Sequence, residues 1–425
     1  MLNILSENKN MMRKKILPLL LLISSSLSAQ TLSLDSCVQM AKRNYPLLKQ
    51  NALIKESEDV TANADSKNWL PKLSFISKAT YQSEVVEFLG KSFPHDSYLA
   101  ALDLEQTLFD GGVIHQQKQL DKLSSETELA KNQVELYKLI DRVDQIYSSL
   151  LLARESILTL AAYKDDITNK KSILSASVTN GMSLQSNLDA LEAEELKTEQ
   201  SLTEAKENAR ALEQTLGMFI NKSVDEHTDL SYDPLSSDSK TDAIQRPELK
   251  LFDSQKALLE AKHKLINRYA LPKISLSGEG AYGRPGPNFL NQDLRFFGQA
   301  GVALKWNLGS LYSYSNEKQN FKINTKMVDV QREVFEFNMK TTMISQTAQI
   351  SSMKDILEKD KIIIQKRHNV KETAATQLAN GSITSTDYLT ESNAELQAEL
   401  NQKVHEIKLM NAISNYNSTK GITNY

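Results

Sequence analysis

The chain has 425 residues, 40% of them hydrophobic and 24% charged, with a formal net charge of −3. That balance argues against a polyanion-binding surface, and the single cysteine excludes a disulfide framework and a cysteine-based zinc site. No stretch of about 18 unbroken apolar residues is present to form a membrane-spanning helix.

The first expected element is an export signal. Met12-Arg13-Lys14-Lys15 is a basic segment, Ile16 to Ile23 is apolar, and Ser24 to Ala29 supply the small residues of a cleavage site before Gln30. Met11 and Met12 are alternative starts. Residues 1–29 carry Lys9, Arg13, Lys14 and Lys15 against Glu7, so their removal takes the charge from −3 to −6. Leu34-Asp35-Ser36-Cys37 superficially resembles a lipoprotein box. It lies well past the apolar segment, and Cys37 reads better as part of a first helical turn capped by Asp35 or Ser33.

Proline and glycine then punctuate the chain. Residues 113–180 contain neither, and nor do residues 310–380. As continuous helix each stretch would run on the order of 100 Å. Leu136, Val143, Leu150 and Ile157 recur at sevens in the first, and Met343, Ile350, Leu357 and Ile364 in the second, the spacing of helices packed side by side. Asn180-Gly181 and Asn380-Gly381 close the two stretches with residues that tolerate a left-handed turn.

Between the helices the period changes to two. Leu70-Pro71 and Leu271-Pro272 end the incoming helices. Strands are expected at about 72–84 and 97–109, and again at about 273–283 and 296–308. Leu73, Phe75, Ala79 and Tyr81 alternate with Lys72, Ser74, Lys78 and Thr80, and Ala300, Val302, Leu304 and Trp306 with Gln299, Gly301, Lys305 and Asn307. One apolar and one polar face suit an outer-membrane β-barrel, or else a soluble sheet with one buried face. Trp69 and Trp306 fall at the helix-proximal ends of the strands, and Tyr81, Tyr98, Tyr282 and Phe296 at the far ends, as interfacial aromatics would. Four strands cannot close a barrel, because about eight is the practical minimum. A membrane location therefore demands oligomerisation.

The two halves repeat each other at an offset of 200 or 201 residues. Tyr45-Pro46-Leu47 aligns with Arg246-Pro247-Glu248, Leu70-Pro71-Lys72 with Leu271-Pro272-Lys273, and Asn180-Gly181 with Asn380-Gly381. The plan is a signal peptide (1–29), a first repeat (30–217) with its tip at 180–182, an acidic, turn-rich joining segment (218–245), and a second repeat (246–425) with its tip at 380–382.

Over nearly its whole mature length the chain resembles the TolC-type outer-membrane efflux proteins. The resemblance lies in the duplicated plan, the Leu-Pro-Lys strand starts, Gln106-Thr107-Leu108-Phe109-Asp110-Gly111-Gly112 after the second strand, and Asn380 to Leu389 at the second tip. It implies an α+β fold in the bacterial outer membrane. A homotrimer would form a twelve-stranded barrel continuing into a periplasmic α-helical barrel, with the joining segment at an equatorial belt. The implied role is a passive exit duct of a tripartite efflux pump or type I secretion system. Its partners would be a periplasmic adaptor (membrane fusion protein), an inner-membrane pump and outer-membrane lipid, with no nucleic acid. Asn180, Gly181, Met182, Ser183, Asn380, Gly381 and Ser382 are the implied adaptor-docking tips. Asp387 matches an acidic gate ring, where repulsion among three copies would raise its pKa. Asn187 stands at the equivalent place in the first repeat, and Thr390 replaces a second acidic ring. Gly309-Ser310-Leu311 departs from the glycine-rich exit of the first repeat.

No catalytic set, cofactor site or metal site is legible. Gly90-Lys91-Ser92 lacks the upstream glycine of a phosphate loop, because residue 85 is Val. His405-Glu406 lacks a second histidine at 409, and Met339 with Met343 suits packing better than copper. The competing reading is a non-membrane periplasmic coiled-coil adaptor or scaffold.

Overall fold

The computed structural model describes residues 31–85, 87–88, 90–231 and 244–422. The expected signal peptide at 1–29 and residues 232–243 of the joining segment lie outside the described residues. Helix α1 (Leu34–Asn44) and α2 (Leu47–Lys67) lead into β1 (Lys72–Tyr81). A short hairpin, β2 (Glu87–Phe88) and β3 (Lys91–Ser92), precedes β4 (Asp96–Phe109). Then come α3 (Val113–Thr179), α4 (Gln185–Ile220), α5 (Pro247–Tyr269), β5 (Lys273–Arg284), β6 (Arg295–Lys305), α6 (Ser310–Ala379) and α7 (Ser385–Lys420).

The four long strands form one antiparallel sheet in the order β1-β4-β5-β6. Each strand is continued by a long helix, and the helices near the sheet keep the strand order: α2 packs on α3, α3 on α5, and α5 on α6. Further from the sheet α4 and α7 join the layer, α3 packing on both and α7 on α6. Asp110 makes the first strand-to-helix exit. Its carboxylate accepts from the N–H groups of Gly112 at 2.8 Å and Ile114 at 2.7 Å. Gly111, at φ +73°, has no room for a side chain, since a Cβ would sit 2.9 Å from that of Leu271.

Two strand ends differ from the sequence reading. β1 stops at Tyr81 rather than 84, because Gln82 makes one further backbone bond to His95 and the chain then turns. β6 stops at Lys305 rather than 308, because its partner β5 begins at Lys273, directly opposite. Trp306 leaves the ladder and donates its indole N–H to the carbonyl of Ala270 at 3.0 Å.

The main core lies where α1 packs between α3 and α4. Cys37, Val38, Val143, Leu150, Leu216 and Ile220 have 1% exposure or less. Ser33, not Asp35, caps α1 by accepting from the N–H of Ser36 at 3.2 Å. Cys37 is fully enclosed and burial pushes its thiol up to about 12, so it is an unreactive packing residue. Its enclosure within α1 accords with the reading of Cys37 as part of a first helical turn.

Asp144 is buried in the same region, on the side of α3 that meets α7. Burial pushes its carboxyl up to about 6, against hydrogen bonds from Ser414 and Ser148. A raised carboxyl pKa favours the folded state most fully below the ordinary aspartate value of 3.8 and loses that contribution as pH rises through about 6. At neutral pH the charged Asp144 therefore costs on the order of 2–3 kcal/mol. Asp144→Asn is expected to raise the thermal midpoint at pH 7 and to flatten its pH dependence between about pH 4 and 6. Thermal melts of both proteins across that range check it; an unchanged profile would exclude Asp144 as the titrating group.

Candidate functional sites: the sheet faces and the helical tips

Register decides which side chains share a sheet face. Phe75 lies opposite Leu102, and Leu102 opposite Gly280, so this row faces one side. Ser74, Asp103, Glu279 and Gln299 form a row facing the other. The first face is largely apolar, with Ser77 and Gln106 as polar members, and bare: Phe75 is 70% exposed, Val302 69% and Phe296 83%. The opposite face carries charge at Lys72, Lys78, Asp103, Glu105 and Glu279. It also holds an apolar row that simple alternation does not reveal, in which Ile76, Ala101, Ala281 and Phe297 stand side by side.

Trp69 and Trp306 sit at the helix end of the sheet, both exposed. At the far end Tyr81 pairs with Asp96, Tyr98 with Ala79, and Tyr282 with Phe296, whose rings are 4.6 Å apart. The edge strands β1 and β6 each pair on one side only. Among the described residues no helix is long and apolar enough to cross a membrane. The bare apolar face belongs instead to the sheet.

The two tips are built alike. The N–H of Gly181 bonds the carbonyl of Val178 and that of Met182 the carbonyl of Ser177, while Gly381 and Ser382 repeat this with Leu378 and Gln377. This paired closure needs a left-handed residue, and the glycines stand at φ +71° and +70°. Asn180, Gly181, Met182, Asn380, Gly381 and Ser382 are exposed, and Ser183 is half-buried.

Asp387 and Asn187 occupy equivalent places in the repeats and do different work. Asp387 completes a capping box. Its carboxylate accepts from the N–H of Thr384 at 3.0 Å and the hydroxyl at 2.7 Å, and its own N–H donates to that hydroxyl. Within the chain the Thr384 hydroxyl, and then its N–H, hold the carboxyl below the usual range. That direction is opposite to the one expected from repulsion in a ring of like charges. Asn187 instead reaches across to the other hairpin, accepting from the N–H of Ser385 at 3.3 Å.

Behind the tips lies a buried polar cluster that motif reading missed. Tyr388 is fully buried and donates to Asp166 at 2.6 Å. Lys371 contacts Asp166 at 3.2 Å and Glu395 at 3.0 Å, and His368 contacts Glu395 at 2.7 Å. Burial works against the Lys371 ammonium, but Glu395 and Asp166 outweigh it and hold its pKa above the usual value. Burial and Asp166 push the Tyr388 phenol up strongly. The cluster ties the α6–α7 hairpin to the α3–α4 hairpin. The only available sequence signal was an aromatic residue beside the second tip.

The fold is shared with solved outer-membrane channels. The chain is similar to the Campylobacter jejuni CmeC channel, with 15% identity, 91% of this chain and 85% of the other covered, and a TM-score of 0.67. It is similar to the outer-membrane protein VceC of Vibrio cholerae, with 13% identity, coverage of 90% and 96%, and a TM-score of 0.64. It is also similar to the open state of the Neisseria gonorrhoeae MtrE channel, with 13% identity, coverage of 91% and 88%, and a TM-score of 0.65. No protein-family profile matches the sequence, and no curated protein matches it significantly. The chain thus has the TolC-like α+β fold of outer-membrane channels, over about nine-tenths of its length.

Proposed function

We propose that the protein is a passive exit duct in the bacterial outer membrane, serving a tripartite efflux pump or a type I secretion system. The observation that carries this reading is the sheet: one face is apolar and uncovered, and both edges are open. Apolar side chains in water and unpaired edge strands in lipid are each unfavourable. Three copies joined edge to edge resolve both, giving twelve strands around a lumen lined by the charged face. The long helices would continue the wall into the periplasm. Chemistry is left to a separate inner-membrane pump, reached through a periplasmic adaptor. The test is cell fractionation followed by mass measurement in detergent. A salt-resistant outer-membrane trimer is expected; a soluble periplasmic protein or a stable monomer with full strand content would refute the duct.

The tips are the proposed adaptor contact. Gly181 and Gly381 have open space around them, so a side chain there meets no clash and costs only backbone strain. That strain is roughly 1–2 kcal/mol. Gly181→Val and Gly381→Val are expected to leave the trimer in the membrane while lowering export at least tenfold. Normal export in both would remove the tips from docking.

Asp387 is the proposed gate ring. In planar bilayers Asp387→Asn should weaken cation selectivity and block by multivalent cations, since a neutral ring no longer attracts them. Unchanged selectivity would reduce Asp387 to its capping role.

A further inference from the structure

On the charged face of the sheet the rows are stacked by kind. Counting away from the helices, Ser74, Asp103, Glu279 and Gln299 make an acidic row. The next row on that face is Ile76, Ala101, Ala281 and Phe297, with no polar member. The one after it is Lys78, Leu99, Gly283 and Arg295, whose only charges are cationic. Each hairpin of the sheet therefore carries the same three levels. In β1 and β4 they are Asp103, then Ile76 with Ala101, then Lys78. In β5 and β6 they are Glu279, then Ala281 with Phe297, then Arg295.

This stacking does not serve the sheet itself. Asp103 lies directly opposite Glu279, a placement that like charges disfavour. Among the described residues none of Asp103, Glu279, Lys78 and Arg295 has an ion pair or a side-chain hydrogen bond within the chain. Nε of Arg295 is buried without a partner. In the row between these charges Ile76 is 46% exposed and Phe297 half-buried, with small Ala101 and Ala281 buried between them. In each hairpin the acid and the cation stand four residues apart along the strands and one strand apart across them. That is a separation of about 14 Å.

We propose that this face of each hairpin binds a short apolar peptide with free ends. Its ammonium group sits on Asp103 or Glu279, its side chains lie over the apolar row, and its carboxylate reaches Lys78 or Arg295. A separation of about 14 Å is the length of about four extended residues. The proposal rests on the duct reading, which makes this face the wall of the lumen, and it names a class of cargo that the wall holds in passage. The two charged levels discriminate. An apolar cation meets Lys78 and Arg295 as like charges, and an apolar anion meets Asp103 and Glu279, so only a zwitterion of the right length and direction suits both. The charged contacts at a water-filled wall are screened by salt, whereas the apolar contact is not.

The experiment measures block of single-channel current in planar bilayers by a four-residue leucine–alanine peptide with free ends. It is compared with its N-acetylated form, which lacks the cation, its C-amidated form, which lacks the anion, and tetraglycine, which lacks the apolar side chains. Every channel carries Asp387→Asn, so that the proposed gate ring adds no charge. The free peptide should block at a concentration at least fivefold lower than any of the other three. Asp103→Asn with Glu279→Gln should abolish only its advantage over the acetylated peptide. Lys78→Gln with Arg295→Gln should abolish only its advantage over the amidated one, and Ile76→Ser with Phe297→Ser only that over tetraglycine. A general distortion of the barrel would not divide the losses in this way. Equal block by all four peptides, or a preference that survives its matching substitution, would overturn the site and leave the duct standing. A protein that conducts no current even without these substitutions would overturn the duct reading, and the site with it.

Discussion

Leu102→Arg is expected to abolish assembly in the outer membrane, while a charge change one residue along, Asp103→Lys, is tolerated. Leu102 lies midway along β4, on the apolar face and 49% exposed in the single chain. Its row holds Phe75 and Gly280, so no neighbouring side chain can pair with a guanidinium. A cation at the bilayer midplane on the lipid face costs about 2–4 kcal/mol, and three copies would incur roughly three times that. Asp103 faces the opposite way, towards Ser74 and Glu279, where water would fill the lumen and a lysine gains a carboxylate neighbour. The measurement is the outer-membrane trimer yield of each variant by fractionation and gel filtration. Equal yields would mean that the apolar face does not meet lipid, because a soluble sheet in water distinguishes the two sites far less.

Lys371→Met is expected to loosen the helical tips, by about 3–5 kcal/mol if the cluster behaves as a buried ion pair losing one partner. The change leaves Glu395, whose side chain is 7% exposed, and Asp166, at 26%, without their shared cation. Partial exposure of Asp166 places the effect towards the lower end of that range. The Lys371 pKa is raised, so its contribution is full below the ordinary lysine value of 10.5 and fades only as pH rises beyond it. The loss should therefore be flat across the neutral range. Lys371→Met combined with Glu395→Gln should recover part of it by removing the stranded charge. Denaturant melts give the energies, and bilayer conductance reads whether the mouth widens. A single variant as stable and as tightly closed as the wild type would show that the cluster does not hold the hairpins together.

Much of the architecture is written locally. Proline ends the helices before β1 and β5, alternation over about ten residues gives two-faced strands, and glycine at φ near +70° turns the chain at residues 181 and 381. The 200-residue offset shows that these signals occur twice. Heptads mark α3 and α6 as packing helices, yet the same pattern is buried in one and half-bare in the other. Val143 is fully buried in α3, whereas the matching Met343 is only half-buried in α6; Leu150 and its match Ile350 are both buried.

That difference depends on which helix has neighbours, and periodicity within one segment carries no such information. The order β1-β4-β5-β6, the enclosure of Cys37, and the diversion of Asn187 to the backbone of Ser385 were all settled by packing. So was the polar cluster, in which Tyr388 and Asp166 meet across 222 residues of sequence. The sequence by itself determined the elements, their turns and their duplication, because backbone sterics and side-chain period act over a few residues. Only the tertiary structure decided which charges are buried together and which faces remain open, because those depend on how two separately encoded hairpins dock.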